Sequence, residues 1–320
     1  MKKLQMSRIV SLVLALCMMF SVMQITVFAD EVTFSDMPDN WATAALKKAV
    51  ENNLLAGSDG KIMPDASLTR AQMATIMSRA FGATELADIS SFSDVKEDAW
   101  YYEYMAKAVK MGVFKGDGAS LNPENNITRE EAFTVLARAF ALENAGADVL
   151  VDFVDKDSVS SWAVPTVAAI VKNNYAKGSD GYLNPNSNIT RAEFAVLMDN
   201  IVKVYITSPG VCNSVEKGNV VVRTNGVTFS GVKIEGDLIL GPSIIAKGVI
   251  LKNSSVTGRI VGNDEKNKIE EISTEVGGGG ASGGPSGGQN NGSGTNNGTE
   301  DTSDEHFGLD GGIEDGGEFE

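Results

Sequence analysis

The sequence predicts a mainly α protein. Three helix-loop-helix repeats form one helical body, a small all-β segment of parallel solenoid type follows, and a disordered acidic, Gly-rich tail ends the chain. Three observations carry this reading. Trp, Gly, Pro and Arg recur at fixed spacing in three copies. Short β-prone runs punctuated by Gly fill residues 204–262. Beyond Gly277 there is no Lys or Arg and almost no apolar residue. We expect a signal peptide over 1–29, repeats over 33–90, 91–151 and 152–203, the β segment over 204–275 and the tail over 276–320.

The chain opens with Lys2, Lys3 and Arg8 ahead of the apolar run "IVSLVLALCMMFSVM", and "VFA" ends at Ala29. The run is too short and too poorly flanked for a spanning helix and reads as a secretion signal. Cys17 follows the bulky Leu16, which argues against lipidation there. No second stretch is long and apolar enough to cross a membrane, and neither a C-terminal hydrophobic anchor nor an LPxTG-type sorting motif is read in the sequence, so retention at the cell after export is expected to be non-covalent. All 42 Asp and Glu lie beyond residue 29, so the mature chain is more acidic than the formal −15 of the whole. That balance disfavours nucleic acid and anionic membrane as partners. An anionic polymer would have to be caught by a local group of cations.

After processing, Cys212 is the one cysteine left and His306 the one histidine. An internal disulfide is therefore excluded, and Cys212 reads as a small buried apolar residue. A His-based catalytic site or zinc site is not expected. No catalytic residue, metal site or cofactor is assigned.

Each repeat is read in order. It opens with Phe-x-Asp, at 34–36, 92–94 and 153–155. Trp41, Trp100 and Trp162 follow, and in copy two Trp100, Tyr104, Met105, Ala108 and Val109 recur on one helical face. Asn52-Asn53, Gly112 and Asn173-Asn174 end that helix. The turn-rich loops "GSDGKIMP", "GDGASLNP" and "GSDGYLNP" come next, with Gly57, Gly116 and Gly178 16 residues after each Trp and Pro64, Pro123 and Pro185 23 after. The second helix starts at Thr69, Thr128 and Thr190, and its expected buried stripe is Met73, Ile76, Met77 and Ala80 in copy one and Phe133, Leu136, Ala139 and Phe140 in copy two. A two-helix unit of this size cannot bury its apolar face alone, so the copies must share a core.

The β segment carries "NVVV", "VTF", "VKI", "DLIL", "VIL" and "RIV". Runs this short and evenly spaced fit a parallel solenoid of few coils better than a sandwich. The tail cannot offset its ordering entropy. Its "DGGIEDGGE" lacks the ligand register of a calcium loop.

The candidate site lies in the repeated motif. Thr69/Gln72, Thr128/Glu131 and Thr190/Glu193 are capping boxes and need no function. Arg70, Arg129 and Arg191, each 29 residues after its Trp, are different. They occupy the first helical position, where the macrodipole disfavours a cation by roughly 0.3–1 kcal/mol. Each therefore needs a negative partner. One candidate is an internal carboxylate, with Asp36, Asp94 or Asp155 available once per copy. The other is an external anion, bound where guanidinium and free helix amides converge. Gly57, Gly116 and Gly178 either turn the chain or let a ligand approach the backbone. Lys115 and Lys177 precede the second and third Gly, while Ala56 precedes the first. Trp41, Trp100 and Trp162 either stack on a sugar face or pack at a helix start.

Three copies of Phe-Ser-Asp, Trp, Gly, Pro and Ile-Thr-Arg-Ala-Glu closely resemble the S-layer homology domain, over residues 33–203. The resemblance implies a pseudo-threefold bundle that binds cell-wall polysaccharide, a secondary cell-wall polymer, in grooves between repeats. It further implies a pyruvylated amino sugar as the recognised unit, with Arg70, Arg129 and Arg191 as its ligands. It implies a secreted protein on the wall of a Gram-positive-type bacterium. Two other readings stay open: a surface adhesion protein whose β segment recognises a further glycan or protein, and a wall-associated polysaccharide-active enzyme.

Overall fold

The structure is a computed structural model and describes residues 33–262 and 267–273. The expected signal peptide and acidic tail lie outside the described residues. Among the described residues six α-helices come first: α1 (Thr43–Glu51), α2 (Arg70–Phe81), α3 (Tyr102–Lys110), α4 (Arg129–Ala139), α5 (Val164–Lys172) and α6 (Arg191–Ile201). Ten short strands follow, from β1 (Val204–Ile206) to β10 (Ile269–Ile272).

The first helix of each repeat starts two residues after its Trp, at Thr43, Tyr102 and Val164. It ends where expected. Asn53 (φ 56°), Gly112 (φ 72°) and Asn174 (φ 58°) take the left-handed conformation there. The next amides, of Leu54, Val113 and Tyr175, fold back onto Ala49, Ala108 and Ile170 O. The second helices begin with complete capping boxes at Thr69, Thr128 and Thr190. Thr190→Ala is expected to lower stability by about 1 kcal/mol, read as a shift in a urea melt.

The sequence repeat is not the packing unit. The main helix pairs are α2 with α3, α4 with α5 and α6 with α1, so each second helix packs on the first helix of the next repeat and the last closes on the first. This is why no copy can bury its face alone. At the centre, Leu68, Ile127 and Ile189 form a closed ring of backbone hydrogen bonds. Leu68 N donates to Ile189 O (3.0 Å), Ile189 N to Ile127 O (3.0 Å) and Ile127 N to Leu68 O (2.9 Å). All three side chains are buried. The expected stripes of α2 and α4 are buried in the same core, apart from the half-buried Ala139.

The β segment is a right-sized continuation of this body. Strands β1, β3 (Val220–Val222), β6 (Leu238–Leu240) and β9 (Ile260–Val261) form one parallel sheet. Strands β2 (Gly210–Cys212), β4 (Val227–Ser230), β7 (Val249–Lys252) and β10 form a second. A third pairs β5 (Lys233–Ile234) with β8 (Ser255–Val256). Every strand pairing is parallel, with Val204, Val220, Leu238 and Ile260 stacked in register. Cys212 on β2 is half-buried, and burial raises its thiol pKa, which fits an unreactive packing residue.

A few coils alone bury too little to close a stable core, and the helical body supplies what is missing. Val221 and Ile239 point out of the solenoid and belong to the helical core, with Tyr205 and Val261 packed beside them. Polar side chains flanking strands β3 and β9 of the same sheet cap four helix C-termini. Asn219 donates to Ile201 O of α6 (2.9 Å). Arg223 donates to Arg79 O of α2 (2.9 Å) and to Asn52 O beyond α1 (3.0 Å). Arg259 donates to Phe140 O beyond α4 (3.2 Å) and to Ala141 O, and it pairs with Asp237 (2.6 Å). The carbonyls at a helix C-terminus lack intrahelical partners and carry partial negative charge, which two guanidinium groups suit well. Arg223→Ala should cost about 2 kcal/mol, since two half-buried acceptors lose a charged donor. Arg223→Lys, which reaches one acceptor at a time, should recover part of it in the same melt.

Candidate functional site

The three Arg side chains lie at the first position of α2, α4 and α6 and reach across to the next repeat. Arg70 Nε donates to Leu121 O, Arg129 Nε to Leu183 O (both 2.8 Å) and Arg191 Nε to Ile62 O (2.7 Å). The Phe-x-Asp carboxylates grip the same peptides from the amide side. Asp36 accepts from Ile62 and Met63, Asp94 from Leu121 and Asn122, and Asp155 from Leu183 and Asn184. Desolvation alone pushes the Asp36 carboxyl up, but its amide donors outweigh that and hold it below the ordinary range.

The internal carboxylate that the sequence demanded exists, but it is not Asp36, Asp94 or Asp155. Arg70 Nη1 pairs with Glu131, and Arg129 Nη1 with Glu193, each at 2.8 Å. Both acids belong to the capping box of the following repeat. One carboxylate oxygen takes the cap amide of Thr128 or Thr190, and the other takes the neighbouring Arg. Repeat 1 has Gln72 in that place, and its single amide oxygen is used by the Thr69 amide. Arg191 therefore turns inward. Its Nη2 donates to Ala56 O (2.7 Å), and the residue is only 6% exposed.

The expectation of free helix amides beside these Arg residues is corrected by the structure. The N1 amides of Arg70, Arg129 and Arg191 donate to Asn125, Ser187 and Ala66 O, and the N2 amides to Pro123, Pro185 and Pro64 O. The N3 amides take the Thr caps. An anion here meets side-chain cations, not a helix N-terminus.

Two cavities collect most of the predicted residues. One, about 540 Å³, is lined by Arg129, Lys177, Gly178, Trp41, Tyr175 and Glu193, among others. The other, about 700 Å³, is lined by Arg70, Lys115, Gly116, Trp162, Phe114 and Glu131, among others. Each draws on all three repeats. Lys115 and Lys177 are exposed and make no hydrogen bond or ion pair among the described residues. Trp41 and Trp162 are 64% and 54% exposed, so core packing does not account for them. Gly116 and Gly178 have φ near 66° and 68°, and an added Cβ would lie 2.4 Å from Ser120 O and Tyr182 O. Their role in the fold is to let the loop close on itself. Gly57 lacks the left-handed φ, but an added Cβ there would likewise meet Lys61 O (2.4 Å) and the Phe34 ring.

The third set does not come together in these cavities. Arg191 and Gly57 line neither. Trp100 lies edge-on to Tyr101 (5.4 Å) and lines a shallower depression with Asp94, Asp98 and Glu124. The sequence reading missed Glu131 and Glu193 as partners of Arg, and it missed Tyr175 and Arg138 in the groove walls. The signal available for the acids was the identity of the third capping-box residue, Gln in copy one and Glu in the others.

The sequence model of one family, described as the S-layer homology domain, matches residues 33–74, 91–133 and 152–195. The chain carries three S-layer homology domains. Its relatives include a surface-layer 125 kDa protein of Lysinibacillus sphaericus, 35% identical over 59% of this chain and 16% of its own length. An amylopullulanase of Thermoanaerobacterium thermosulfurigenes is 31% identical over 56% of this chain and 10% of its own length. A cellulosome-anchoring protein of Acetivibrio thermocellus is 31% identical over 47% of this chain and 35% of its own length. The likeness thus spans a minor part of each of these relatives. Among the described residues no helix is long and apolar enough to cross a membrane.

Proposed function

We propose that the S-layer homology domains attach this protein to the cell wall by holding an anionic wall polysaccharide in two grooves, one at Arg70, Lys115 and Trp162, the other at Arg129, Lys177 and Trp41. The domains and the surface-layer relative make this a secreted, cell-surface protein. The observation that carries the groove reading is the pair of unpartnered ammonium groups, Lys115 and Lys177, each beside a half-exposed Trp and a guanidinium with one spare edge. Such a constellation suits a sugar that bears a carboxylate. The ring lies on the indole, and the acid meets Lys and Arg. A secondary cell-wall polymer with a pyruvylated amino sugar has that chemistry. Arg191, committed to two carbonyls and buried, serves the fold, so we assign two working grooves.

The anchor itself is non-catalytic in this reading. The enzymes among the relatives share with it a small part of their length. The outer face of the β1-β3-β6-β9 sheet is taken up by the helical body, which leaves the solenoid less surface for a separate adhesion role. Sedimentation with purified sacculi tests the proposal. The mature protein should co-sediment with sacculi that retain their non-peptidoglycan polymer and stay in solution with sacculi stripped of it. Equal binding to both preparations would reject the polymer as the ligand.

A further inference from the structure

The helix that walls each open groove differs in charge at one lining position. Arg138 stands nine residues after Arg129 and lines the Arg70 groove. The residue nine after Arg191 is Asn200, which lines the Arg129 groove and donates to Tyr175 O (2.9 Å). The residue nine after Arg70 is Arg79, whose guanidinium lies over the Tyr104 ring at 5.5 Å. Arg138 has no such engagement. Among the described residues its side chain makes no hydrogen bond, ion pair or ring contact, although it lines the same cavity as Lys115.

The acids of that groove are already committed. Glu131 gives one oxygen to the Thr128 amide and one to Arg70. Asp117 is folded onto its own loop, where it accepts from the Ala119 and Ser120 amides and from Asn122. Besides the spare guanidinium edge that Arg70 and Arg129 each offer, two cations with unused donors, Lys115 and Arg138, line one cavity, against one, Lys177, in the other groove.

We propose that Arg138 makes the Arg70 groove a reader of a second anionic group on the wall polymer, a carboxylate or a phosphate next to the acid met by Lys115. The Arg129 groove, with Asn200 and Tyr175 in that place, takes a unit with one acid. The planar fork of Arg138 binds either oxyanion at two points. This inference rests on the proposed attachment function and refines it.

The test isolates each groove in the mature chain. Lys177→Ala leaves the Arg70 groove, and Lys115→Ala leaves the Arg129 groove. The probe is soluble polysaccharide released from the producing organism's sacculi, titrated calorimetrically. Adding Arg138→Asn to Lys177→Ala should weaken binding about tenfold at low salt, and the difference should shrink toward none at 0.5 M salt, where exposed charge pairs are screened. A difference that disappears with polymer stripped of phosphate by hydrofluoric acid identifies phosphate as the second anion. One that persists identifies a carboxylate. A change below twofold at low salt, or a loss equally large at both salt concentrations, overturns the role of Arg138 and leaves the attachment function standing. No binding by the unsubstituted protein overturns both.

Discussion

Replacing Arg191 with Ala is expected to lower the stability of the helical body by about 3 kcal/mol, the range for removing a buried charged donor from two acceptors. Arg191 is 6% exposed and bonds Ile62 O and Ala56 O, both at 2.7 Å. No carboxylate pairs with it, and burial lowers its pKa, with Asp36 on the far side of the same peptide acting in the opposite direction. The loss leaves two buried carbonyls without a donor and a void where the side-chain stem packed. Arg191→Lys should not restore both bonds, because one ammonium on a flexible stem does not span two acceptors held for a fork. Urea unfolding of the three proteins measures this. A change under 1 kcal/mol would mean that Arg191 is not a structural clamp. The same substitution at Arg129 is expected to cost less stability and more binding, since Arg129 keeps one edge toward its groove.

The second large effect concerns binding. Lys115→Ala combined with Lys177→Ala removes one charged donor from each groove, about 1.5–3 kcal/mol per site and so roughly ten- to a hundredfold in affinity at each. Both side chains are exposed and unpaired, so folding should be unaltered and the thermal midpoint should stay within a degree or two of the parent. The readout is polymer affinity by titration, with the melt as control. An unchanged affinity in the folded double variant would remove the Lys residues from the site.

Much of this was legible in the sequence, for physical reasons. The capping boxes at Thr69, Thr128 and Thr190 are local chemistry, written within four residues, and they form as read. The left-handed stops after the first helices are equally local. The partners of the Arg residues were not legible in this way, because they lie across the ring. Arg70 meets Glu131, 61 residues on, and Arg191 meets Ala56, 135 residues back. Spacing gave a carboxylate per repeat but not which one a closed ring brings near. The seating of the solenoid left a trace that the reading did not use. "VVV" of β3 and "LIL" of β6 are apolar without alternation, since both faces are buried, while β4 and β7 alternate because one face is wet. Read that way, the run pattern points to one covered sheet. The third groove shows the same limit. Ala56 and Gln72 were visible departures in copy one, yet only the geometry shows that they turn Arg191 into the fold.

On the proposed reading, this chain holds the wall through two grooves and not three. Calorimetric titration of the mature protein with a wall-polymer fragment short enough to fill one groove tests it most directly. Two fragments are expected to bind per chain, with one site weakened about ten- to a hundredfold by Lys115→Ala or Lys177→Ala and both by the double substitution. Three equivalent sites, or a site that survives the double substitution and is lost with Trp100→Ala, would contradict it.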